Sequence, residues 1–258
     1  MERLLRSLPG VSGATQGDNG QVGVIGGSVE YPGQPTISAL AALRTGTDDA
    51  EALVSEEIYG VVASHSPNLL VDRFDGERFE GDAVDRALEL GEWADALVIG
   101  PGLVDADPAA ISETITHTDV PVVVDALAIG PGMEADLSNT VFTPASEEEE
   151  WITEEYGSIE TLSKETDAVV ALTGDVDTIV ADGERTINET GTSALTVAGT
   201  GDTMAGIIAS LLAQGMNRAD ASELGAWILG KSGELASAEY GNGLVATDVI
   251  ERIPDTLH

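Results

Sequence analysis

Apolar residues along this chain gather in short unbroken runs, separated by longer stretches with a helical repeat. Runs at 21–25 (QVGVI), 60–64 (GVVAS), 96–99 (ALVI), 120–124 (VPVVV), 168–172 (AVVAL) and 177–181 (DTIVA) have strand-like length and composition, and a shorter one falls near 140–142. Most are continuous and do not alternate with polar residues. The expected strands are therefore covered on both faces, as in a mainly parallel sheet. Segments near 82–92, 107–117, 146–156, 202–214, 219–238 and 246–252, together with 35–45, predict helices. Strand and helix alternate, and right-handed crossovers then place helices on both sides of the sheet. The fold class this implies is a three-layer α/β/α sandwich with a mainly parallel central sheet. No low-complexity linker or tandem repeat breaks the pattern, so one domain over residues 1–258 is expected.

The residues that follow the expected strands share a chemistry. Gly26 and Gly27 follow the first, Gly100-Pro101-Gly102 the one at 96–99, Asp125 the one at 120–124, Thr143-Pro144 the short one, and Gly174 the one at 168–172. In an open parallel sheet the ligand crevice lies beyond the carboxyl ends of the strands, so these residues are expected to converge on one site. The strongest local signal is AGTGDTMAGIIASLLAQG at 198–215. Gly199 and Gly201 permit close ligand approach, and Met204, Ile207, Ile208, Leu211 and Leu212 follow with helical spacing. Free amides at a helix start attract anions, so a nucleotide phosphate can lie against residues 199–202, with Asp202 as general base toward a substrate hydroxyl. The same residues also fit a plainer structure, a tight glycine turn with Asp202 as N-cap. Asn188 and Gly191 fall in the loop that feeds this helix, where an ordinary turn accounts for them equally well.

Charge narrows the picture. The 258 residues carry 46 acidic side chains against 11 basic ones, a net charge of −35, and Lys164 and Lys231 are the only lysines. Such a surface cannot neutralise nucleic-acid phosphates or dock on acidic lipid, so no nucleic acid and no membrane partner is expected. With 42% hydrophobic residues and acids dispersed between apolar runs, the chain reads as folded. Excess acid with few lysines fits a cytoplasm of molar salt, where a Debye length of about 3 Å screens self-repulsion. There are no cysteines and three histidines, so neither a thiolate metal site nor a metal cluster built on imidazole is expected, and no metal-ligating residue is assigned. No apolar run approaches the roughly 20 residues of a membrane span, and residues 1–8 do not form a signal pattern; a soluble, cytoplasmic protein is expected. The four glutamates at 147–150 read as the start of a helix on a solvated face. His117 is placed near free carbonyls at a helix end, His65 has no assigned role, and Trp93, Trp151 and Trp227 are expected to pack on the core.

At 195–215 (LTVAGTGDTMAGIIASLLAQG) the chain resembles the ADP/ATP-dependent NAD(P)H-hydrate dehydratase family, found as the C-terminal half of YjeF-type bifunctional proteins within the ribokinase-like superfamily. GGSVEYPGQPTISALAALRTG at 26–46, LVIGPGL at 97–103, PVVVDAL at 121–127, FTP at 142–144, VALTG at 170–174 and Ile253-Pro254 agree in order and spacing. The resemblance implies a ribokinase-like fold and a repair reaction, in which a nucleoside phosphate drives loss of the ring hydroxyl from hydrated NADH or NADPH. Its implied partners are NAD(P)H hydrate and an adenine nucleotide, ADP or ATP, with magnesium (Mg2+) shielding the phosphates, and association as a homo-oligomer. Asp202 would be the catalytic base. Thr173, Gly174, Asp175, Gly199, Thr200 and Gly201 would bind nucleotide; Gln34, Gly100, Gly102, Asp125, Ala145, Asn188 and Asp202 would bind substrate.

Several positions depart from the family pattern. Leu127 stands where a second aspartate is usual after Asp125. Ala145 replaces a histidine in a turn that otherwise runs Thr143-Pro144 to Glu148, and Thr173 replaces a lysine in the nucleotide loop. Gln34 replaces an alanine, and Val104 a glycine. A threonine hydroxyl cannot supply the charge of an ammonium beside a phosphate. Salt and magnesium can substitute for it, the pocket can take another ligand, or catalysis can have been lost. Two other functions stay open on these residues: a kinase of a small hydroxylated metabolite, and a non-catalytic nucleotide-binding module.

Overall fold

A computed structural model describes residues 1–8 and 18–257. Its strands are β1 (Gln21–Ile25), β2 (Asp49–Ser55), β3 (Leu70–Phe74), β4 (Ala96–Ile99), β5 (Val122–Val124), β6 (Thr140–Phe142), β7 (Val169–Leu172), β8 (Asp177–Ala181) and β9 (Glu184–Asn188). Its helices are α1 (Glu2–Leu5), α2 (Gln34–Thr45), α3 (Glu56–Val62), α4 (Ala83–Trp93), α5 (Pro108–His117), α6 (Ile129–Gly132), α7 (Glu149–Tyr156), α8 (Ile159–Thr166), α9 (Thr200–Ala213), α10 (Arg218–Tyr240) and α11 (Ala246–Arg252).

The strands form one sheet in the order β3-β2-β1-β4-β5-β6-β7-β8-β9. β3 to β7 pair in parallel, while β7–β8 and β8–β9 pair antiparallel. The chain first builds outward from β1 to β3, then returns to set β4 on the other side of β1. That reversal opens a crevice beyond the carboxyl ends of β1 and β4.

Side-chain alternation divides the apolar residues between two faces. Val22, Val24, Ala96, Val98 and Val123 point to a layer made of α2, α3, α9, α10 and α11. Ile25, Leu97, Ile99, Val122 and Val124 point to α4, α5, α6, α7 and α8. The three-layer sandwich expected from the continuous apolar runs is the observed fold. In the first layer α2 and α9 approach very closely. A methyl group at Gly206 would lie 2.0 Å from the Ser38 carbonyl oxygen, so the glycine is required by the contact.

Three local expectations need correction. Residues 60–64 are not a strand: Ser55 caps α3 by accepting from the Glu57 N–H, Glu56 and Glu57 favour the helix start, and the helix runs on to Val62. The strand lies just before it, at β2, where Asp49 and Glu51 disguise a run whose remaining residues are buried. The edge strands β3 and β9 are too polar to register as apolar runs, and β9 follows β8 through Asp182 and Gly183, both at positive φ. Trp151 does not pack into the core but is 41% exposed, whereas Trp93 and Trp227 lie against it. His117 does meet a carbonyl, that of Glu113, at 2.9 Å.

Candidate active site

Close backbone approaches hold the carboxyl ends of the strands together. The Gly27 N–H donates to the Pro101 carbonyl at 2.8 Å, and the Gly100 N–H to the Ile25 carbonyl at 3.1 Å. Gly100 has φ 122°, and a Cβ there would sit 2.0 Å from the Asp125 carbonyl oxygen. Only glycine satisfies both demands. Gly102 presses in the same way on Tyr31 and on Gln34, the first residue of α2.

Asp125, Glu148 and Asp202 bring three carboxyl groups to this end of the molecule. Asp125 follows β5 and is buried, and its Oδ1 accepts from the Thr143 hydroxyl at 2.6 Å. Glu148 precedes α7, is half-buried, and accepts from the Ala145 N–H at 2.8 Å. Asp202 lies in the first turn of α9, also half-buried. Burial pushes the Asp125 carboxyl up to about 8, helped by the Asp202 and Glu148 charges and opposed by the Thr143 hydroxyl and the Ala126 amide. Asp202 is raised to about 6 by burial and by Glu148, against the pull of its own backbone N–H. Glu148 is raised by burial and by Glu147, against the Ala145 amide. The neighbouring charges that shift these three groups are all carboxylates.

α9 begins at Thr200, two residues before the sequence pattern suggests, and its N-cap is Gly199 at φ 92° with no side-chain cap. A Cβ at Gly199 would lie 2.8 Å from that of Ala246 and 2.9 Å from Ile37 Cδ1. Asp202 therefore does not cap the helix, and its carboxyl group is left for other work. A Cβ at Gly201 would meet nothing within 4 Å, so there is open space beside the first turn of α9, where the Thr200 N–H already donates to the Val197 carbonyl at 3.4 Å.

That space is a cleft of about 850 Å³. Thr173, Gly174, Asp175, Thr200, Gly201 and Ala145 line it, with Thr190, Gly191, Thr192, Leu195 and Leu229 on its other walls. Thr173 and Ala145 are joined as neighbours by an isolated parallel bridge. Four acids, Glu147, Asp175, Asp177 and Glu189, line the cleft, and no lysine or arginine does. Gln34, Gly100, Gly102, Asp125 and Asp202 do not line it; they stand at the crevice beyond β1, β4 and β5 and at the α9 N-terminus. Asn188 also lies outside the lining. It is buried, donates to Asp177 at 2.9 Å, and accepts from the Thr190 hydroxyl at 2.8 Å, so it braces the cleft wall. Among the described residues no three His, Asp or Glu side chains converge enough to hold a metal ion. No helix is long and apolar enough to cross a membrane, again among the described residues.

Sequence reasoning passed over Glu148 as one member of a solvated acidic run. Four identical residues give no internal signal of which one turns inward. The spacing from Thr143-Pro144 was the only available clue. Of the apolar part of the cleft, Leu229 was hidden in the helical pattern at 219–238, and Leu195 opened the quoted run at 195–215 without a signal of its own.

A family model described as NAD(P)H-hydrate dehydratase matches residues 22–255. The ADP-dependent (S)-NAD(P)H-hydrate dehydratase of Haloterrigena turkmenica is 63% identical over 257 residues, covering 100% of both chains. The protein of the same description from Natrialba magadii is 61% identical, again over 100% of both. The crystal structure of the ADP/ATP-dependent NAD(P)H-hydrate dehydratase of Bacillus subtilis, co-crystallised with ATP and Mg2+, superposes with a TM-score of 0.78 at 22% identity, covering 100% of this chain and 97% of that one. With the crevice, the α9 N-terminus and the acidic cleft lying inside the matched span, this chain belongs to the NAD(P)H-hydrate dehydratase family.

Proposed function

We propose that this protein uses ADP or ATP to dehydrate hydrated NADH or NADPH, returning the reduced dinucleotide. The observation that carries the reading is the α9 N-terminus. Its first residues, Thr200 and Gly201, line a nucleotide-sized cleft, while Asp202, one residue beyond Gly201, stands outside that lining and feels the charge of Glu148. A phosphoryl group held at this helix start would lie beside a hydroxyl held at Asp202.

Hydroxide is a poor leaving group, and phosphorylation turns it into a good one. Asp202 accepts the hydroxyl proton as the oxygen attacks the terminal phosphoryl group, and the positive end of α9 at Gly201 stabilises the charge on that group. Loss of phosphate and of a proton from the adjacent carbon then regenerates the dihydropyridine. The carboxylate surroundings support dehydration over simple kinase chemistry. As the leaving group departs from the carbon beside the ring nitrogen, positive charge develops on the ring, and the Glu148 carboxylate opposes it with no cation beside it.

The cleft suits magnesium carried on the phosphates and mostly hydrated, because its donors are carboxylates and no three converge into a cage. Asp175 and Glu189, exposed on the cleft wall, would hold it, and it would supply the positive charge that Thr173 lacks. The same reading takes residues 1–258 as one catalytic domain working in a salt-rich cytoplasm, an assignment supported by the charge of −35. Exposed Val176 and Ile187 near and on the edge hairpin support self-association, which light scattering would measure. The deciding assay offers purified protein hydrated NADH, Mg2+ and either ADP or ATP in molar potassium chloride. Recovery of the reduced-nicotinamide absorbance is expected. Nucleotide binding with no recovery for either nucleotide would overturn the reading.

A further inference from the structure

Dehydration needs two proton acceptors, and Asp202 supplies only the first. After phosphorylation the C–O bond to phosphate breaks, with its electron pair leaving on the phosphate. The ring nitrogen lone pair compensates by forming a transient iminium. A C–H bond on the adjacent carbon must then break, its electrons forming the new C=C bond and returning the nitrogen lone pair. That proton needs a base which does not already hold the hydroxyl proton.

Resting on the dehydratase reading, we infer that Glu148 is this second base, taking the carbon-bound proton while Asp202 takes the hydroxyl proton. Three observations carry the assignment. Glu148 is tied to the turn that holds Asp125: it accepts from the Ala145 N–H, two residues beyond Thr143, whose hydroxyl donates to Asp125 at 2.6 Å. It is half-buried and so reachable, whereas Asp125 is 3% exposed with an oxygen taken by Thr143. One Glu148 oxygen, Oε2, is fixed by the Ala145 N–H at 2.8 Å. That bond anchors the carboxylate at the turn between β6 and α7 and leaves Oε1 for a substrate. Burial also raises its proton affinity above that of an ordinary glutamate, which makes it a stronger base. Asp125, buried and keeping its proton near neutrality, then holds the Thr143 end of the turn in place.

The test separates the two halves of the reaction in single turnovers. Glu148→Gln keeps the acceptor for Ala145 and removes a charge facing Asp125 and Asp202, so the fold should persist; nucleotide binding and circular dichroism check this. Wild type and variant are given ADP, Mg2+ and hydrate bearing hydrogen or deuterium on the carbon beside the hydroxyl-bearing one. Phosphoryl transfer in Glu148→Gln is expected to stay within about 3-fold of wild type. NADH release is expected to fall by about 10²- to 10⁴-fold, with phosphorylated hydrate accumulating and a larger deuterium effect on its breakdown. Glu148→Asp, with a shortened carboxylate, should recover part of the second step only. Equal losses of both steps in Glu148→Gln, with no accumulating intermediate, would overturn the second-base role while leaving the dehydratase reading intact. A wild-type protein that forms no NADH would overturn both. Should Glu148→Gln not fold, Glu148→Asp decides: slowed breakdown with normal phosphoryl transfer supports the role, and an equal slowing of both steps refutes it.

Discussion

In the proposed base role, Asp202 must be exposed enough to reach a hydroxyl and buried enough to hold a useful proton affinity. Burial and Glu148 raise it to about 6, so the ionised base is lost as pH falls through that value. The rate of NADH recovery should therefore rise across about pH 5 to 7 and level off above, which a pH–rate profile at fixed salt would check. Asp202→Asn should lower turnover by about 10²- to 10⁴-fold while calorimetry finds nucleotide binding largely retained. Asp125 has the opposite relation to stability. Its carboxyl is raised from 3.8 to about 8, so the folded chain keeps a proton that the unfolded chain has released. The stability this provides is full below pH 3.8 and is lost as pH rises toward 8. Asp125→Asn removes that dependence and retains an acceptor for Thr143. At pH 8 the variant should be the more stable by more than about 1 kcal/mol, with the difference closing at low pH in urea titrations.

At the scale of elements, the site depends on how tightly α2 and α9 pack. Alanine ordinarily favours a helix over glycine by about 1 kcal/mol. At Gly206 the added methyl would lie 2.0 Å from the Ser38 carbonyl, and overpacking costs about 1–3 kcal/mol. Gly206→Ala should thus be destabilising on balance by thermal denaturation, and a shift of α9 should reduce turnover as well. Much of this element was legible beforehand. The spacing of Met204, Ile207, Ile208, Leu211 and Leu212 identified α9, and the run at 96–99 identified β4 to the residue. β2 and α3 were misread because periodicity cannot show that Ser55 caps a helix at that point. The polar edge strands β3 and β9 were missed because an edge strand does not need two apolar faces.

Over the whole molecule, net charge sets the terms of ligand binding. A protein of charge −35 with no lysine or arginine lining the cleft proposed for nucleotide repels polyanions at low salt. Added potassium chloride should therefore tighten nucleotide binding over the low range, opposite to a basic phosphate site. Thr173→Lys, on the cleft wall, should raise affinity most at low salt and flatten that response. Calorimetric titration from low to molar salt would check both, and a steady loss of affinity for the wild type with the fold intact would contradict the account.

The sequence by itself determined the layered fold, the glycine turns at the strand ends, the apolar face of α9 and the acidic character of the protein. These properties are written in local composition and in the period of apolar residues, which adjacent positions reveal. Only the tertiary structure decided that Gly199 and not Asp202 caps α9, that Asn188 braces a wall, and that Glu148 alone of its run joins Asp125 and Asp202. Each of these depends on residues far apart in the chain sharing one low-dielectric volume, where burial and mutual charge set what a carboxyl group can do.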